Sequence, residues 1–130
     1  TNGPKALSVV ARLADWWQWD GPWEPTYRPP YERLRAACDE VGRPFEEITL
    51  TAGLEVSMPE DPATFQSSYT HSFYPGQVFG ISGPTAEAII GDIETLVDVG
   101  VHHFQISVGS RRDLERFVEQ VLPRVRLEKR

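Results

Sequence analysis

Three stretches of the chain carry functional groups where chemistry is possible. Asn2-Gly3-Pro4-Lys5 opens an amphipathic segment. A helix begun by proline loses no needed N–H there, and the free amides of its first turn favour a phosphate. Without a ligand the same residues are simply a helix start. Trp17, Trp19 and Asp20 close an aromatic run beginning at Trp16. Their indole faces could stack on a planar heterocycle and the carboxylate could accept a hydrogen bond, or the indoles are core and the aspartate a turn residue. Ser107, Gly109, Ser110, Arg111 and Arg112 follow a later apolar run, where Arg111 could bind an anionic group.

The other reactive side chains are less promising. His102 and His103 are adjacent and would point to opposite faces of a strand, while His71 stands alone, so the usual metal-ligand spacings are missing. Cys38 lies on an apolar helical stripe and reads as a buried spacer rather than a nucleophile.

The elements that must position these groups follow from periodicity. Leu7, Val10, Ala11 and Ala14 recur on one helical face, and Asp15 to Trp19 suits a short strand that runs into a loop over residues 20–30. Tyr31, Leu34, Ala37, Cys38 and Val41 form a second helical stripe, closed by Gly42 as a left-handed cap. Phe45 to Ile48 makes one more turn, and residues 49–58 are β-prone. Residues 59–80 show no clean period, yet they hold too many aromatics for a disordered segment, and read as an irregular insertion packed on something. Ser82 is the expected N-cap of the clearest helix, whose apolar residues run from Ala86 to Val97, with Gly100 at its end. A strand over 101–108, a turn at Gly109-Ser110 and a helix over 111–125 complete the order.

Alternating helices and strands make parallel β-α units, so the class is α/β. Residues 1–130 read as one partial domain: three or four strands would leave sheet edges uncovered, and a helix stands at the opening with no strand before it.

Composition excludes several classes of function. The formal charge of −6 would repel a phosphate backbone, and the short basic cluster of Arg124, Arg126, Lys129 and Arg130 does not reverse that, so no nucleic acid is expected as partner. No apolar run approaches the roughly 20 residues needed to span a bilayer. A single cysteine and no signal-peptide pattern point to a reducing, cytoplasmic home.

Taken in order and spacing, Gly3-Pro4-Lys5-Ala6-Leu7, residues 11–17, Cys38 to Pro44, Gly80 to Pro84, residues 96–104, Leu114 to Phe117 and Val121 to Arg126 resemble the last third of the luciferase-like monooxygenase family, nearest its deazaflavin-dependent branch. The resemblance implies the C-terminal portion of a (β/α)8 barrel about twice this length or more. It implies a flavin- or deazaflavin-dependent oxidoreductase, using flavin mononucleotide (FMN) or the deazaflavin coenzyme on a small organic substrate, with the cofactor phosphate beside Asn2, Gly3, Pro4 and Lys5. It also implies that Trp17, Trp19 and Asp20 face the substrate and ring pocket, whose mouth Arg111 would share in such a barrel, and that the family's acid–base residues lie outside this sequence, so the chain alone would be inactive. The competing expectations are a non-catalytic interaction module, a half-barrel-like chain that forms a homodimer or joins the remainder of a barrel, and an unrelated small α/β domain.

Overall fold

Proline and glycine punctuate most of the elements. The computed structural model describes residues 3–129, in which the chain runs α1 (Pro4–Leu13), β1 (Trp16–Asp20), α2 (Arg28–Val41), β2 (Thr49–Val56), β3 (Ser68–Thr70), β4 (Val78–Gly80), α3 (Ala86–Asp98), β5 (Val101–Val108) and α4 (Arg111–Gln120). Pro4 is the first residue of α1. Pro29 and Pro30 lie in the first turn of α2, where their missing N–H groups cost nothing, so this helix starts three residues before the expected Tyr31 and the loop ahead of it is shorter. A wide helical turn at Trp23–Tyr27 fills that loop. Gly42 takes φ +74° and closes α2, with the Arg43 N–H donating to the Cys38 carbonyl.

Three expectations are corrected. The cap of α3 is Thr85, whose hydroxyl accepts from the Ala88 N–H at 3.2 Å. Ser82 is fully buried and extends the sheet: its N–H donates to the Glu55 carbonyl, its carbonyl accepts from the Ser57 N–H, and its hydroxyl donates to Asp92 at 2.7 Å. The last helix stops at Gln120, ahead of Pro123, rather than running to Val125. Residues 59–80 contain a short helical turn at Pro62–Thr64 and an antiparallel hairpin, in which Tyr69 of β3 lies opposite Phe79 of β4.

The main sheet is parallel with the order β1-β2-β5, which is also their order along the chain. Leu50 lies opposite Val101 but Thr51 opposite His103, so β5 bulges by one residue at His102. Trp17, Trp19, Leu50, Ala52, Leu54, Val56 and Val101 supply the buried face, packed in one core with Leu34 of α2, Ile89 and Leu96 of α3 and Phe117 of α4. On the other face Trp16, Gln18, Asp20, Glu55, His103, Gln105 and Ser107 are exposed. The described residues therefore form a mixed α/β unit with a parallel three-stranded sheet covered on one side, and not a closed barrel. None of its helices is long and apolar enough to cross a membrane.

Ile89→Ala, at a fully buried site, is expected to cost about 2–5 kcal/mol of stability by urea denaturation. Leu13→Ala, at a side chain 75% exposed, should stay within about 0.5 kcal/mol, and equal losses would refute this assignment of faces.

Burial raises the Asp92 carboxyl above its ordinary range, and the Ser82 hydrogen bond opposes that. The folded state thus holds this proton more tightly than the unfolded chain, and the contribution of Asp92 to stability falls as pH rises through the carboxylate range. Asp92→Asn retains an acceptor for Ser82. It should raise the melting temperature relative to wild type at about pH 7, with the advantage disappearing near pH 3.

Candidate functional site

Asp20 ends β1 directly opposite Gly53 of β2. A Cβ at position 53 would sit 2.4 Å from Asp20 Oδ1, so the missing side chain is what lets the carboxylate lie over the central strand. Two residues earlier on the same face, Gln18 donates through Nε2 to Gln105 Oε1 of β5 at 3.1 Å and reaches Asp20 Oδ1 at 3.5 Å. This bridge crosses the whole sheet because only Thr51 and Gly53 stand between the outer strands on that face. Glu55 follows on β2, level with Ser107.

Tyr69 reaches this cluster from the hairpin. Burial first, and then the negative charges of Glu55 and Asp20, push its phenol above the ordinary range, so it holds its proton beside the carboxylates. The hairpin is tied down by Thr26, whose hydroxyl accepts from the Gly80 N–H at 2.7 Å and donates to the Val78 carbonyl at 3.2 Å. Tyr69 stacks on Phe79 at 5.6 Å, and Phe79 packs on Trp19 at 5.7 Å.

Together these groups line a cleft of about 170 Å³ at the carboxyl ends of the strands. Lower on the same face a hollow of about 290 Å³ holds Trp16, 58% exposed, with His103 stacked on its ring at 4.8 Å. The described residues place no ion-pair partner on Asp20 or Glu55, so the cleft is electronegative. Its carboxamides can read a planar polar edge, and its phenol–carboxylate pair can hold or pass a proton. A larger cavity of about 510 Å³ lies where the strands begin. The cleft is the better candidate for chemistry because its polar groups converge at the carboxyl ends of parallel strands, where loops and helix starts meet.

Of the residues singled out from sequence, Asp20 and Ser107 line the cleft. Trp17 and Trp19, at 6% and 8% exposure, belong to the helix-covered core, and the ring that faces the open side is Trp16. Asn2 lies outside the described residues, while Gly3, Pro4 and Lys5 are exposed at the start of α1. Arg43 Nη1, just past the end of α2, donates to the Ala11 carbonyl near the end of α1 at 3.2 Å. The two helices therefore finish side by side, and α1 starts at the same end of the molecule as α2, where β1 finishes. Arg111 stands at this end too, exposed and paired with Glu115 at 3.0 Å, without contact to the cleft. Sequence reasoning missed Gln18, Glu55, Tyr69 and Gln105. Strict alternation of Gln18 and Asp20 with Trp17 and Trp19, and of Gln105 and Ser107 with Phe104, Ile106 and Val108, is the signal that marks the polar face.

Cys38 is fully buried and its thiol is pushed up chiefly by burial, consistent with a packing role. His71 caps its own turn by accepting from the Phe73 N–H at 3.1 Å. Among the described residues no group of three or more His, Cys, Asp or Glu side chains gathers in a way that could hold a metal. No family model and no curated protein matches the chain.

Gly53→Ala forces the exposed Asp20 carboxylate to swing aside and should cost only about 0.5–1 kcal/mol. In an Asp20→Ala background the loss should shrink by at least about 0.5 kcal/mol. Denaturation of the four proteins measures that coupling, and simple additivity would show that the two residues do not touch.

Proposed function

We propose that the chain contributes part of the active-site mouth of a flavin- or deazaflavin-dependent oxidoreductase, built on a (β/α)8 barrel of the luciferase-like monooxygenase type. The observation that carries this reading is the exposed polar face of three sequentially ordered parallel strands, whose functional groups cluster at the carboxyl ends. In barrels of this kind such a face points inward and such an end carries the catalysis.

The residues present suit the proposed cofactors in two ways. Gln18 and Gln105 offer the donors and acceptors that a pyrimidine-like ring edge requires, with the open Trp16 ring on the same face. Gly3 caps α1 with no side chain, leaving first-turn amides for a phosphate beside Lys5. Asp20 and Glu55 would repel a phosphate, which assigns the cleft itself to the substrate or ring and the phosphate to the helix start. When bound, the deazaflavin coenzyme supplies two-electron hydride transfer, and FMN adds the capacity to activate oxygen. The protein's own part is to orient the ring through the carboxamides and to hold a proton on Tyr69 next to Glu55.

A second reading, a non-catalytic module that self-associates, draws support from the outer edges of β1 and β5, unpaired among the described residues, and from the half-exposed Leu114 and Val118 of α4 and Leu122 just beyond it.

Absorbance titration of the longest natural polypeptide containing this chain, with FMN and the deazaflavin coenzyme in parallel, tests the first reading. Saturable binding of one cofactor, weakened about tenfold or more by Gln105→Ala, is the expected result. Binding of neither overturns it, and concentration-dependent dimers of the chain in sedimentation would then favour the second.

A further inference from the structure

The cavity of about 510 Å³ lies at the opposite end of the sheet from the cleft and takes no part in the function proposed above. Its inner walls are core side chains: Phe45 before β2, Leu50 in β2, Val97 near the end of α3 and Val101 at the start of β5. One flank is the segment after α4, which Arg126 fastens to α3. The guanidinium meets the two Asp98 oxygens at 3.0 and 3.2 Å, and the Arg126 N–H donates to Glu94 at 2.9 Å. That clamp sets Leu127 and Lys129 beside the opening.

The rim is where a ligand would be chosen. Arg35 extends from α2 with its guanidinium 5.6 Å from the centroid of the Phe45 ring, and the described residues give it no carboxylate partner. Holding a guanidinium against an aromatic face leaves its in-plane donors free for an oxyanion. His102, at the bulge of β5, lines the same cavity. Glu46 and Glu128 also stand on the rim and balance Arg35 and Lys129 in formal charge. A multiply charged anion therefore gains little there, whereas a single anionic group on an apolar body matches both the rim and the walls. The volume falls within the range of small-molecule sites.

We infer that this cavity is a second binding site, for a small amphipathic monoanion whose apolar body lies against Phe45, Leu50 and Val101 and whose carboxylate or sulfonate is met by Arg35. Nothing in this inference depends on the oxidoreductase reading.

The test is a titration of the chain with decanoate and with anilinonaphthalene sulfonate, followed by amide NMR. Saturable shifts at Arg35, Gly100 and His102 are expected. Arg35→Glu should weaken binding about tenfold or more and Arg35→Gln by a smaller factor, while Arg33→Glu, a matched charge change outside the cavity lining, should leave it intact. Decanol, with the same body and no charge, should bind less tightly than decanoate. The inference fails if no saturable shifts occur, if they centre on Gly53 and Gln105 instead, if Arg33→Glu weakens binding as much as Arg35→Glu, or if decanol binds as tightly as decanoate.

Discussion

Parallel strands that are neighbours both in space and along the chain must be joined by crossovers of one hand, which lays every connecting helix on the same side of the sheet. The order β1-β2-β5 meets that condition, and most other features follow from it. One face becomes a core in which Trp17, Trp19 and Leu54 pack under helices; the other keeps its alternate residues in solvent. A doubly wound sheet would have buried both faces, and Gln18, Asp20, Glu55 and Gln105 could not then be the polar residues they are without partners inside the protein.

The open face acquires a polar cleft because segments of β1, β2, the hairpin and β5 converge at one end of it. Gly53 provides room, Asp20 and Glu55 provide charge, and the hairpin brings Tyr69 over them. Thr26 joins the β1–α2 connection to β4 through a single hydroxyl, so the two segments flanking the cleft are braced against each other rather than resting separately on the sheet. The cleft's geometry therefore rests on hydrogen bonds and aromatic packing in loops, whereas the fold rests on the apolar face beneath.

Long periodic elements were legible from sequence, because α3 repeats its apolar residues at helical spacing and α2 ends on a glycine that takes the left-handed conformation. The hairpin was not, since strands of three residues are too short to display alternation. Two hydroxyl residues precede α3, and local preference alone cannot choose between Ser82 and Thr85. The choice falls to Thr85 because Ser82 is already hydrogen-bonded to β2 and Asp92. Trp17 and Trp19 were placed on the right strand, but which indoles look inward depends on the phase of that strand against its neighbour, a tertiary fact. Asp20 stood out because a strand-terminal carboxylate is conspicuous, and it lines the cleft. Glu55 and Tyr69 acquire meaning only when β2 and the hairpin meet.

The bulge at His102 gives β5 an unequal tolerance to changes in length. Apolar residues stand at 101, 104, 106 and 108, a spacing that a regular strand would split between two faces, and the extra residue restores the phase. A chain that lost either of the two adjacent histidines at 102 and 103 would still send Phe104, Ile106 and Val108 toward the helices, whereas one shortened anywhere from 104 to 108 would exchange inside for outside from that point on. In this strand the histidine pair is the seam at which the loss of one residue can be absorbed.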